Sequence, residues 1–113
     1  MKKNTPSQEQ IDTMRKTLAV NGFESFLRHL SACYKNSHSN AVRMISGATG
    51  AVEVTVRKWK KTGVTNEHAA KALCELARTH GFYFGLHMLR PTDAVCVAWI
   101  DRDDRVLVEK YAA

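Results

Sequence analysis

The chain has 113 residues, of which 44% are hydrophobic and 25% are charged, and its formal net charge is +6. These values are typical of a soluble globular protein with one compact domain, and they exclude a disordered chain, a collagen and a disulfide-rich miniprotein. The longest apolar run, residues 94–100, is far shorter than the ~20 residues of a membrane-spanning helix. We interpret the three widely spaced cysteines as reduced thiols and expect a cytoplasmic protein.

The positive charge is unevenly distributed along the chain. Residues 1–61 carry eleven basic and four acidic side chains, whereas residues 62–113 carry six basic and seven acidic ones. This asymmetry favours a surface for a polyanion in the first part and another role for the second. A solvated basic face without a partner is the alternative, so charge alone favours nucleic acid only modestly.

The first predicted elements are two helices. Ser7 and Gln10 form a capping-box pattern that begins the first helix, and Gly22 is a candidate C-cap that ends it. A second helix begins near Phe23, carries one apolar stripe and ends at the polar cluster 36–39.

Three further helices are predicted before Gly81. Ser39 can cap a short third helix, a fourth covers residues 51–61, and Thr65 can cap a fifth. The predicted buried face of the fifth helix consists of Ala69, Ala72, Leu73, Leu76 and Ala77.

After Gly81 the pattern becomes typical of strands. Residues 82–89 are aromatic and apolar, and the runs 94–100 and 105–111 flank a polar connection at 101–104. We predict an antiparallel β-hairpin from the last two runs, or a three-stranded sheet that includes 82–89. The first hairpin arm is apolar on both faces, so a second subunit could cover one of them.

The sequence therefore predicts an α+β fold with two parts. Residues 1–81 form a five-helix domain that contains the motif described next. Residues 82–113 form a small β-hairpin element that supports dimerisation. No internal repeat or low-complexity segment indicates another division.

The segment 41–63 has the spacing of a helix-turn-helix. Such a motif needs a small residue where its second helix crosses the first, a turn glycine, and apolar residues that hold the two helices together. Ser46 is the small residue and Gly50 is the turn glycine. The apolar set is Ile45, Ala51, Val56 and Trp59.

With ATG at 48–50 and TVRKWKKTGV at 55–64, the chain resembles the Cro/C1-type helix-turn-helix superfamily of phage, plasmid and bacterial regulators. The resemblance covers about residues 40–80 and includes the turn, the valine, the tryptophan and the following glycine loop. It implies a homodimeric regulator that binds double-stranded DNA, most simply as a repressor of transcription. No cofactor is expected.

Two groups of residues are expected to contact DNA. The helix 51–61 enters the major groove, where its outward side chains reach bases and nearby phosphates and its last lysines reach the backbone. The start of the preceding helix can bind phosphate, because helix N-termini attract anions. The complete predicted set is Ser39, Asn40, Arg43, Val52, Glu53, Val54, Arg57, Lys58, Lys60 and Lys61.

A strand is the rival interpretation of residues 52–57. Polar and apolar residues alternate strictly there, and β-branched residues favour strands. We prefer the helix because Val56, Trp59 and the preceding turn fit one packing scheme.

Other functions are weighed against DNA binding. An antitoxin-like or adaptor protein would bind a protein partner through the C-terminal sheet, and an RNA-binding protein would use the same basic surface. No catalytic motif occurs, so we expect no enzyme. His29 and Cys33 have the spacing of metal ligands but lack a second pair, so we expect no metal.

Overall fold

A computed structural model describes residues 6–101 of the chain. Within this range all regular structure is helical and no strand occurs, so the predicted α+β fold class is wrong and the described part of the chain is all-α. The helices are α1 (Gln8–Ala32), α2 (His38–Thr49), α3 (Glu53–Thr62), α4 (Glu67–Thr79), α5 (Leu86–Leu89) and α6 (residues 93–101).

The long helix α1 replaces two predicted helices. Its capping box is confirmed: the Gln10 N–H donates to Ser7 Oγ at 3.1 Å, and the Ser7 N–H donates to Gln10 Oε1 at 2.8 Å. The predicted helix end at Gly22 is wrong. A Cβ atom at that position would collide with the carbonyl oxygen of Met88, so the glycine permits a close approach of α5. The predicted five-helix part therefore contains four helices, α1 to α4.

Two predicted helix starts are displaced by one or two residues. Ser37, not Ser39, caps α2, because its Oγ accepts from the Asn40 N–H at 3.2 Å. Asn66, not Thr65, caps α4, because its Oδ1 accepts from the Ala69 N–H at 2.7 Å. In both places neighbouring residues offer equivalent oxygen acceptors, so the sequence pattern alone does not select one of them.

The core lies between α1 and the packed helices α2, α3 and α4. Trp59 of α3 is 1% exposed and meets Phe23 of α1 edge-on, with ring centroids 5.8 Å apart. The predicted buried face of α4 is confirmed except at Ala72, which is half-buried, while Ala70 is buried instead.

The predicted sheet is wrong at its first strand. Residues 82–85 form a loop that leads into α5. Phe82 and Phe84 pack on Phe26 of α1, with ring centroids 5.5 and 5.3 Å away. Phe84 is thus buried and Phe82 half-buried against a helix, without a partner strand. Phe84 and Leu89 belong to the same buried cluster as Trp59.

The predicted hairpin is also wrong, because its first arm lies in α6. Thr92 begins this helix: its Oγ1 accepts from the Val95 N–H at 3.2 Å, and its carbonyl oxygen accepts from the Cys96 N–H at 3.0 Å. Asp93 in the first turn forms an ion pair with Arg15 of α1. Its negative charge also stabilises the helix by interacting with the positive N-terminal end of the helix dipole. The second arm, residues 105–111, lies outside the described residues.

Two functional expectations change with the sheet. The dimerising hairpin and the protein-binding sheet of the adaptor alternative both required strands between residues 82 and 100, where the chain is helix and loop. No helix in the described part of the chain is long and apolar enough to cross a membrane.

Candidate nucleic-acid interface

The connection between α2 and α3 is a tight turn fixed by hydrogen bonds. Gly50 has a φ of 79°, in the left-handed region that favours glycine, and its N–H donates to the Ser46 carbonyl oxygen at 2.9 Å. The Ser46 hydroxyl donates to the Ala51 carbonyl oxygen at 2.6 Å. Thr49 Oγ1 donates to the Ile45 carbonyl oxygen at 2.8 Å and accepts from the Ala51 N–H at 3.2 Å. Side chains as well as the glycine therefore set the angle between the two helices.

The sequence reasoning identified Ser46 for its size alone and did not anticipate these bonds. The position of Ser46, five residues before Ala51 in the turn, is a signal for such a bond, since hydroxyl groups of Ser and Thr often bond to nearby backbone groups. The observed contacts make Ser46 and Thr49 positioning residues for α3.

The inner face of α3 is apolar, and the helix interpretation is confirmed for residues 53–57. The predicted helix 51–61 is observed at 53–62, and Val52 is its extended N-cap residue. Val56 and Trp59 are buried against α1 and α2. Ile45 of α2 is buried in the same cluster. The rival strand at 52–57 is wrong, because residues 53–62 form α3, in which Val56 and Trp59 lie three residues apart on one buried face.

The far end of α3 is held by a second glycine. Gly63 has a φ of 74°, and a Cβ atom there would press against the side chain and backbone of Ala19 in α1. The two backbones thus approach each other closely, and Val64 is buried directly after this contact. α3 is therefore anchored at its turn, along its inner face and at its C-terminus.

The outer face of α3 carries the predicted contact residues. Val52 and Val54 are 66% and 62% exposed. Glu53 is half-buried, and its Oε1 lies 3.6 Å from Nη2 of Arg57. The basic side chains on the solvent side are Arg57, Lys58, Lys60 and Lys61.

The first two turns of α2 expose the second predicted group, Ser39, Asn40 and Arg43. Next to them lies His38, whose pKa is lowered by burial and by the positive charges of Lys60 and Arg57. His38 at the N-terminus of α2 and Lys60 of α3 line the same hollow, so these parts of the two helices share one surface.

This surface extends to α1. A shallow hollow between α1, α2 and α3 is lined in part by Arg28, His38 and Lys60, and Glu24 contributes one acidic side chain. The sequence reasoning missed Arg28 and His38. No spacing rule connects them with α3, since only the tertiary fold brings the three helices together.

The remaining candidate side chains have structural roles. The His29 ring stacks on Phe82 with centroids 5.6 Å apart and its Nδ1 lies 2.7 Å from the Ser25 carbonyl oxygen. Cys33 Sγ donates to the backbone oxygen of His29. Between residues 6 and 101, no group of three or more His, Cys, Asp or Glu residues could hold a metal ion.

No family model, no curated protein and no solved structure matches this chain. The resemblance to helix-turn-helix regulators stays a prediction.

Proposed function

We propose that this protein binds double-stranded DNA with α3 in the major groove and regulates transcription. One observation carries the proposal: α2 and α3 are joined by a left-handed glycine turn, with α3 apolar inside and basic outside. A helix-turn-helix of this kind presents its second helix to base edges.

The dimensions of α3 fit this role. An α-helix with its side chains is about 10–12 Å across, which the major groove of DNA, about 12 Å wide, admits, and the 10 residues of α3 extend about 15 Å along its axis. The N-terminal end of α3 would approach base edges, while Lys60 and Lys61 near its C-terminal end would approach phosphates. The first amides of α2, with Ser39, Asn40 and Arg43, would meet a phosphate of the neighbouring backbone.

A homodimer on a dyad-symmetric site completes the proposal. One recognition helix contacts bases with three or four side chains, so two copies double the length of sequence that is recognised. The dimer surface is not the hairpin that the sequence predicted, because residues 94–100 are helical and Cys96 is fully buried. Occlusion of a promoter is the simplest regulatory output in the cytoplasm.

Selection from a random duplex library tests the proposal. The full chain is expected to enrich a short motif, with dyad symmetry if two copies bind. Lys61→Ala should weaken binding to the selected duplex. The matched control is Lys71→Ala, which removes an exposed lysine of α4 beside Phe82 and Tyr83 and should leave binding unchanged.

The same assay separates DNA from RNA. Structured RNA should compete poorly with the selected duplex, since the deep major groove of A-form RNA does not admit side chains. Absence of any enriched motif, or preferential competition by RNA, would contradict the proposal.

A further inference from the structure

The N-terminal tip of α3, formed by Val52 and Val54, is an exposed apolar surface on a basic helix. Their exposures of 66% and 62% are exceeded among the large hydrophobic residues of the range 6–101 only by that of Tyr83, at 74%. Nothing within the described chain covers the two side chains.

The choice of valine at the start of α3 is locally unfavourable. The other three long helices begin with Ser7, Ser37 and Asn66, and each of these side chains accepts a hydrogen bond from the helix backbone. Val52 occupies the same position in α3 and makes no such bond. Valine is among the poorest N-cap residues and is disfavoured inside helices by its branched Cβ. Departures from local preference of this kind concentrate at functional sites.

The surroundings of the valines indicate the chemistry of the partner. On a helix, Val54 lies on the same face as Arg57, Lys58 and Lys61, which follow it by three, four and seven residues. A partner surface that matches this face is polyanionic, with an apolar group beside the helix tip. In the major groove of DNA the only apolar group on a base edge is the C5-methyl of thymine.

We propose that Val52 and Val54 read thymine methyl groups in the major groove. This inference rests on the DNA-binding function proposed above and adds a base preference to it. The two side chains contact the methyl groups through dispersion and exclusion of water, while the cations of α3 hold the helix against the phosphates. A·T pairs whose thymine methyl faces the helix tip are therefore preferred.

Replacement of thymine by deoxyuridine tests the inference, because it removes only the methyl group and keeps the base pair. The duplex enriched by the full chain is resynthesised with one substitution at a time, and the dissociation constant is measured for each. We expect a loss of about fourfold for each methyl group that is buried in the complex. At one or two positions in each half-site the loss should occur in the wild type and shrink toward none in Val54→Ala.

Two further variants separate recognition from folding. Val52→Ser supplies the missing N-cap oxygen, so its thermal unfolding midpoint should rise while its discrimination between thymine and uracil falls. Lys58→Ala should weaken binding to both duplexes by the same factor and keep the discrimination. A change of stability and a change of readout are thus observed independently.

The outcomes distinguish this inference from the proposed function. Specific duplex binding without a thymine-to-uracil effect at any position would overturn the methyl readout and leave DNA binding intact. An effect that persists unchanged in both valine variants would assign it to other residues and also overturn the inference. Failure to select any duplex would overturn both.

Discussion

Arg57 on the outer face of α3 tests DNA contact without disturbing the fold. Its side chain is 51% exposed and its Nη2 lies 3.6 Å from Glu53 Oε1, so the pair contributes only ~0.3–0.5 kcal/mol to stability. We expect Arg57→Ala to leave the unfolding midpoint nearly unchanged. If Arg57 binds guanine, duplex binding should weaken by ~1–3 kcal/mol and base preference should relax at one position. Unfolding of the variant would contradict the outward placement of Arg57.

Replacement of Trp59, on the opposite face of the same helix, should lower stability, whereas replacement of Arg57 should lower DNA affinity. Trp59→Ala removes a side chain that is 1% exposed and should cost about 3–5 kcal/mol of unfolding free energy, measured by denaturant titration. Trp59→Phe is the control, because it keeps most of the ring volume. It also removes the indole N–H, which is buried and has no hydrogen-bond partner among residues 6–101. A well-folded Trp59→Ala that fails to bind DNA would make Trp59 a contact residue instead.

His38 predicts a pH dependence with a definite sign. Burial and the charges of Lys60 and Arg57 lower its pKa, while Glu24 and Arg28 of α1 line the same hollow. His38 therefore binds a proton less readily in the folded state than in the unfolded state. The free energy of unfolding should then decrease as pH falls below the unfolded histidine pKa of ~6.5.

In the free protein the lowered pKa favours the neutral ring of His38, whereas a phosphate beside it would favour the protonated ring. Duplex affinity should therefore increase between about pH 8 and about pH 6 by uptake of a proton. His38→Gln should remove this component of the pH profile. An identical profile in the variant would place the phosphate elsewhere.

The contact between α1 and α5 makes Gly22 and Gly47 an informative pair at the scale of helices. Alanine at Gly22 would meet the Met88 carbonyl, and such overpacking costs typically 1–3 kcal/mol, which exceeds the helix-propensity gain of about 1 kcal/mol. Alanine at Gly47 has open space around it, so only the gain remains. Thermal unfolding should thus rank Gly47→Ala above the wild type and Gly22→Ala below it. A stabilised Gly22→Ala would show that α5 does not press on α1.

Some features of these helices could be predicted from the sequence and others could not. The motif of α2 and α3 was predictable, because the turn glycine and the buried residues Val56 and Trp59 follow fixed spacings. The continuity of α1 was not, since the need for Gly22 arises from a segment 66 residues away. Residues 94–100 form an apolar run too short to separate a strand from a buried helix by periodicity. The capping threonine at 92 was the available signal.

The charge of the whole molecule predicts a strong dependence of binding on salt. The basic side chains concentrate in the part of the chain that contains α1, α2 and α3. If two copies together neutralise ~6–10 phosphates, affinity should fall ~10³–10⁵-fold between ~50 and ~200 mM salt. Titration of the selected duplex at several salt concentrations measures the slope. A nearly flat response would mean that the basic face is merely solvated.

The close approach of Gly63 to Ala19 has a thermodynamic consequence for the proposed complex. With its C-terminus in backbone contact with α1 and its N-terminus bonded through Ser46, α3 has little room to reorient when a ligand arrives. The protein then loses little conformational entropy on association, and less of the interaction energy is spent on ordering. Its heat-capacity change on binding DNA should correspond to the joining of two rigid surfaces, without the additional burial of a segment that folds.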